Sequence, residues 1–157
     1  QTGNCIYNPQ YATLLQLNPS IQKEHLVGMM LYCGIYNLDE LNTKGEFAGF
    51  MRTVTWAYSG KKDFKQVPAM KTVSVTRYMD STFAPCFISA GNGDPLLNQS
   101  LHLAKKLTEM NVYTDTLFFP QQQSPVLPHE YQFNLDSEAG QWALNRSLSF
   151  LRKVTTQ

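Results

Sequence analysis

Asp94 and His129 are the two residues of this chain whose types and placement could do chemistry together. They stand 35 residues apart, room for one helix, one strand and a loop, and each follows a stretch with the character of a β-strand. In a parallel sheet both would emerge at the C-terminal edge of the strands, the edge at which open α/β sheets bind ligands. A carboxylate placed there can accept a hydrogen bond from an imidazole, fix its tautomer and stabilise its protonated form, so that one residue orients and the other acts as base. Each residue also has a plainer reading. Asp94 precedes Pro95, and Asp at an N-cap with Pro at the first helical position is a good helix start. His129 follows Pro128 and could be a loop histidine without a role. Position separates it from His102, which falls inside a helical pattern, and from His25, which lies at the opposite end of a strand.

Other chemical signals fail on their spacing. His129-Glu130 begins like a zinc-protease motif, but Phe133 stands four residues after the histidine, and no CxxC pair exists. No metal ligand set and no cofactor are expected. Gly91-Asn92-Gly93 lacks the further glycine of a dinucleotide fingerprint and the Gly-Lys-Ser/Thr ending of a phosphate loop, so it reads as a sharp turn after a strand. No serine sits in Gly-x-Ser-x-Gly, the strained strand-to-helix turn that exposes a nucleophilic hydroxyl. The nearest approach, Phe87-Ile88-Ser89-Ala90-Gly91, begins with Phe and puts Ser89 inside a strand, where it is structural; Cys86 in the same run is core.

The elements that would position Asp94 and His129 are legible as patterns. Three apolar runs of strand character, Leu26 to Cys33, Pro85 to Ala90 and Val112 to Phe119, suit a sheet buried on both faces. Between the second and third, Leu97, Leu101, Ala104 and Leu107 predict one face of a helix, and strand, helix, strand is a parallel crossover. A last helix is expected with Asp136 as its cap and Leu144, Leu148 and Leu151 as its apolar stripe. A short helix carrying Tyr7, Tyr11, Leu14 and Leu15 stops near Asn18-Pro19. From about 38 to 82 the alternation breaks. Phe47, Phe50, Met51, Val54 and Tyr58 share a helical face there, which reads as an inserted helical, lid-like segment leaving the sheet at its ligand-binding edge, or as an ordinary helix on its flank.

The chain's 157 residues can bury a real core, as one domain or as part of one. A net charge of +1 provides no basic field for nucleic acid. No apolar stretch approaches the roughly 20 residues of a membrane helix. Three cysteines without close pairing favour a reducing compartment, hence a cytoplasmic protein, over a secreted one.

Taken together, Pro85-Cys-Phe-Ile-Ser-Ala-Gly-Asn-Gly-Asp-Pro-Leu96, Gln99-Ser100, Leu107 and His129-Glu-Tyr-Gln-Phe133 resemble the final third of bacterial esterase/lipase α/β-hydrolases of the hormone-sensitive-lipase type. Val27-Gly-Met-Met-Leu-Tyr-Cys-Gly34 is similar to that family's strand after the nucleophile helix, and Gln1 to Tyr11 to the tail of that helix. The resemblance covers essentially the whole chain, most weakly from Leu38 to Thr82. It implies an α/β fold comprising the C-terminal part of an α/β-hydrolase sheet with flanking helices, with residues 1–157 a portion of one domain. It further implies Asp94 as triad acid, His129 as triad base and a small ester as substrate. The serine and the oxyanion amides would precede Gln1, so the isolated chain is expected to be inactive. The exposed flank of the first strand would be covered by the upstream half, by another copy or by the chain's own insertion. A serine peptidase of the same fold, and a nonenzymatic hydrolase-like interaction module, are the competing readings.

Overall fold

Cys86–Ala90, all five residues buried, forms the central strand of a three-stranded parallel sheet in a computed structural model that describes residues 2–41 and 47–156. Numbered along the chain, the strands are β1 (Met29–Tyr32), β2 (Cys86–Ala90) and β3 (Thr114–Phe118), and they lie side by side in that order. Met29 pairs with Cys86, and Cys86 in turn with Thr114. The helices are α1 (Thr2–Tyr7), α2 (Pro9–Leu14), α3 (Ala48–Ser59), α4 (Pro68–Lys71), α5 (Leu97–Glu109) and α6 (Glu138–Thr155), with short 3-10 turns between them. The fold is mixed α/β, a parallel sheet with flanking helices.

The chain divides into two compact units, one of residues 23–35 and 80–157 and the other of 1–22 and 36–79. The first holds the sheet. Because successive side chains of a strand point to opposite faces, Phe87 and Ser89 of β2 share one face. Phe87 joins Leu117, Leu127, Tyr131, Ala143 and Phe150 in one buried cluster. Phe87 and Phe150 bring their rings to 6.1 Å, and Tyr113 stacks on Phe150 at 6.3 Å. Helix α5 connects β2 to β3 and packs on both, the parallel crossover expected from the sequence.

Several details differ from the sequence pattern. β1 covers only four residues of the expected run and, among the described residues, pairs with β2 alone; Met30 on it is 42% exposed. Cys33 lies beyond the strand, with a left-handed φ of 50°. Helix α6 turns Gly140, Ala143, Ser147 and Phe150 inward and leaves Leu144 and Leu148 exposed. Small side chains let a helix backbone approach closely, and Phe150 then fills the space between aromatic rings. Ser147 spends its hydroxyl on the Ala143 carbonyl at 2.6 Å and on the Tyr32 hydroxyl. The cap of α6 is Ser137, whose Oγ accepts from the Gly140 amide at 3.1 Å; Asp136 stands one residue too early. Helix α5 likewise buries Ser100, Leu103, Ala104 and Leu107, while Leu101 faces outward.

The second unit is helical. Its first segment is two helices broken at Asn8-Pro9, since proline has no amide to continue α1 and Asn8 caps α2 by accepting from the Tyr11 amide at 3.3 Å. The Asn8 side-chain Nδ2 also donates to the Thr72 carbonyl at 2.8 Å, and Asn4 Nδ2 donates to that of Val73. Helix α3 buries Ala48, Met51 and Thr55, whereas Phe47, Phe50 and Tyr58 of the anticipated face are exposed. Residues 42–46 of the anticipated insertion lie outside the described residues.

Candidate active site

β2 ends at Ala90, and the chain turns through Gly91-Asn92-Gly93 to Asp94 before α5 begins at Leu97. The Asp94 side chain is fully buried. Its Oδ1 accepts a hydrogen bond from the Leu96 amide at 2.7 Å, and its backbone carbonyl accepts from the Leu97 amide at 3.0 Å. The helix-start reading needs correction: α5 is capped at Leu96 without a side-chain bond, Pro95 stands before the helix, and Asp94 closes the turn that leads into it. The same Oδ1 lies 3.0 Å from Nδ1 of His129, whose side chain is 42% exposed. Both residues follow parallel strands, at the C-terminal edge of the sheet, and the fold brings them into contact. With Asp94 ionised, Nδ1 is the protonated ring nitrogen and Nε2 is left to accept a proton.

His129 is exposed between two anchors. Leu127 and Tyr131 both belong to the buried cluster on the sheet. Tyr131 packs edge-on against Phe119 at 5.1 Å, and its hydroxyl meets Ser89 Oγ at 2.6 Å. Burial pushes the Tyr131 phenol up to about 12, so it stays a neutral partner. Ser89 is fully buried and also donates to the Leu117 carbonyl at 2.9 Å, which makes it a strut between β2, β3 and the His129 loop.

Asn92 was not singled out as a chemical residue in the sequence, yet it joins the Asp94 turn to the His129 loop. Its Oδ1 accepts from the Leu127 amide at 2.8 Å, and its Nδ2 donates to the carbonyls of Gln121 at 3.3 Å and Gln123 at 3.0 Å. The Gly93 amide adds a bond to the Leu127 carbonyl at 2.9 Å. The flanking glycines exist for this approach: a Cβ on Gly91 would fall 2.2 Å from the Leu127 carbonyl oxygen, and one on Gly93 would fall 2.4 Å from Val126 Cγ1. The signal available in the sequence was Gly-Asn-Gly itself, an amide side chain between two residues without Cβ. Asn92→Ala removes all three side-chain bonds and leaves the Leu127 amide without its acceptor. The expected loss is about 1–3 kcal/mol in urea denaturation, with freer motion of residues 120–129 in amide exchange.

Cys33 is the third residue at the site. Its sulfur accepts from the Glu130 amide at 3.4 Å and donates to Gln132 Oε1 at 3.7 Å. Cys33 and Glu130 both adopt left-handed φ values, 50° and 60°, a conformation non-glycine residues rarely take and one that clusters at functional sites. Burial first, and the Asp94 carboxylate second, push the Cys33 thiol up to about 12, so it is neutral near pH 7 and no thiolate nucleophile. Cys86 is fully buried in β2, where burial pushes its thiol to about 12 as well. His102 sits in α5 and His25 in the turn before β1, on the N-terminal side of that strand; neither joins Asp94. A separate cleft of about 190 Å³ in the helical unit is lined by Leu38, Phe64, Lys65, Met70, Ser74 and the ion-paired Asp39 and Arg77, and Ser74 Oγ there accepts from the Leu38 amide at 3.0 Å.

No protein-family profile and no curated protein matches the chain. Solved structures do. Esterase B from Lactobacillus rhamnosis superposes with a TM-score of 0.65 at 18% identity, over 92% of this chain and 44% of that one. The C6-C4 SN3 inhibited form of esterase B gives 0.69 at 18% identity, over 96% and 48%. The mixed α/β fold, a parallel sheet with flanking helices, is thus that of part of these esterase structures. DphMB1 adds a TM-score of 0.59 at 17% identity, covering 97% of this chain and 50% of its own. The chain therefore spans about half the length of the structures it matches, and at this identity the likeness speaks for the fold alone. No described helix is long and apolar enough to cross a membrane.

Proposed function

We propose that this chain supplies the catalytic acid, Asp94, and the catalytic base, His129, of a serine carboxylic-ester hydrolase of the hormone-sensitive-lipase type, a C-terminal portion of one α/β-hydrolase domain. The observation that carries the reading is the 3.0 Å contact between a fully buried carboxylate and a half-exposed imidazole at the C-terminal edge of a parallel sheet. His129 Nε2 takes the proton of the attacking serine hydroxyl and returns it to the leaving alcohol, while Asp94 holds the ring and offsets the imidazolium charge. The serine and the oxyanion amides lie in sequence before Gln1, since no Gly-x-Ser-x-Gly occurs from 1 to 157. The substrate is a small carboxylic ester. The helical segment of about 38–82 is the lid-like insertion, and the open edge of β1 is covered by the upstream half or by another copy. Free Cys5, Cys33 and Cys86 fit the reducing cytoplasm.

The test compares residues 1–157 alone with a polypeptide extended upstream through a Gly-x-Ser-x-Gly segment. The extended protein is expected to hydrolyse p-nitrophenyl acetate and to be labelled at that serine by an organophosphonate; the short one should do neither. Enzyme-like hydrolysis by residues 1–157, lost on His129→Ala, would overturn the division of the triad. Turnover of proline peptides in place of esters by the extended protein would turn the reading to a peptidase, and a start codon directly before Gln1 to a nonenzymatic module.

A further inference from the structure

We propose that Cys33, Asp94 and His129 form a binding site for a thiophilic divalent cation, Zn²⁺, whose occupancy takes the Asp94–His129 pair out of base catalysis. One ligand atom from each residue, the sulfur, a carboxylate oxygen and a ring nitrogen, lies within 4.8 Å of the other two. Thiolate, imidazole and carboxylate are the donor types that zinc sites use, and three protein ligands with an open fourth position are the pattern of accessible zinc sites. Ligands around a tetrahedral zinc at ordinary bond lengths stand roughly 3.3–3.8 Å apart. The separations here, from the 3.0 Å of Asp94 to His129 up to 4.8 Å, bracket that range. Small side-chain adjustments close the site.

An independent observation points to a ligand. Asp94 Oδ2 is buried and takes no nitrogen or oxygen donor among the described residues, although Oδ1 on the same carboxylate serves two; the Cys33 thiol is the remaining group bonded to this carboxylate. A buried carboxylate whose further partner is a weak thiol donor keeps part of its desolvation cost, which a cation held between oxygen and sulfur recovers. The Glu130 amide already donates to Cys33 Sγ at 3.4 Å, a bond that stabilises sulfur once it becomes a thiolate. His129, 42% exposed beside the two buried ligands, leaves a route for the ion and room for a water in the fourth position.

The proton balance makes the site inhibitory. Zn²⁺ displaces the Cys33 thiol proton to solvent, and as the metal takes His129 Nδ1, the ring proton moves to Nε2. Nε2 is then a donor and can no longer accept a serine proton. Metal binding and general-base catalysis exclude each other. The binding half of this inference stands on Cys33 and the geometry; only the inhibitory half rests on the esterase reading.

Calorimetric titration of the purified protein with Zn²⁺, and absorbance titration with Cd²⁺ to read the sulfur-to-metal charge-transfer band, provide the test. One equivalent is expected to bind. Cys33→Ser should abolish the Cd²⁺ band and, like His129→Ala, weaken Zn²⁺ by at least about tenfold, while Cys5→Ser and His102→Ala change nothing. A Cd²⁺ band that survives in Cys33→Ser overturns the site. If that variant fails to fold, X-ray absorption of the zinc-loaded parent decides: one sulfur with nitrogen and oxygen ligands supports the site, and oxygen and nitrogen alone overturn it. In the extended protein, Zn²⁺ should abolish ester hydrolysis, with chelator restoring it. Binding without any hydrolysis would leave the site standing and remove only the esterase reading.

Discussion

Replacing His129 with alanine in the extended protein is expected to lower kcat for a short ester on the order of a millionfold, the scale at which loss of the base in a serine triad leaves little more than binding and oxyanion stabilisation. Asp94→Asn should cost about ten-thousandfold, because the amide can donate to Nδ1 and favours the wrong tautomer. The two variants separate in stability. His129 is partly exposed and spends one hydrogen bond on Asp94, so His129→Ala should leave the melting temperature near that of the parent. In Asp94→Asn the position of Oδ1 faces both the Leu96 amide and Nδ1, so an Nδ2 turned there to donate to Nδ1 leaves the Leu96 amide without its acceptor and should lower the melting temperature. Asp94→Ala loses the Leu96 bond, leaves that amide without its acceptor and should cost about 1–3 kcal/mol in addition to the activity. An Asp94→Asn protein with near-parent kcat would remove Asp94 from the mechanism and leave it a helix-entry residue.

Gly91→Ala is expected to be strongly damaging although it alters no chemical group of the site. The added methyl carbon would meet the Leu127 carbonyl oxygen at 2.2 Å, the Leu127 carbonyl carbon at 2.8 Å and the Pro128 oxygen at 2.8 Å. All three are backbone atoms of the segment that delivers His129, so no side chain can swing aside. The loop must retreat from the Asp94 turn, straining the Asn92 bonds and the Gly93 amide bond to Leu127. Overpacking of this kind costs about 3 kcal/mol at the upper end of its usual range, and displacement of His129 by an ångström is worth on the order of a hundredfold in rate. Urea denaturation and kcat/KM measured on one preparation check both. Parent-like values in both would mean that the two loops do not approach as closely as the structure has them.

These effects trace how much could be read before folding. The run from Pro85 to Ala90 identified the central strand, because a strand buried on both faces must be apolar throughout, and Cys86–Ala90 is buried throughout. The flanking runs were read too long. Met29–Tyr32 and Thr114–Phe118 are edge strands among the described residues, and an apolar residue at a strand end looks the same in sequence whether or not a neighbour extends the ladder. Helix α6 presented two possible stripes, and leucine content favoured Leu144, Leu148 and Leu151. The sheet accepted Ala143, Ser147 and Phe150, while Gly140 lies against the Asn134 carbonyl, because close approach rewards small residues as much as large apolar ones.

The sequence by itself determined the order of strands and helices and the position of Asp94 and His129 after parallel strands, since these follow from local patterns and from the rule that parallel strands share an edge. Only the tertiary structure decided the 3.0 Å contact between them, the Asn92 clasp between their loops and the presence of Cys33 beside both. The physical reason is range. Hydrophobic periodicity records which face of an element is buried, whereas the bond from the Glu130 amide to Cys33 Sγ joins residues 97 positions apart. No local pattern encodes that distance, and it closes only when β1, β2 and β3 align in one sheet.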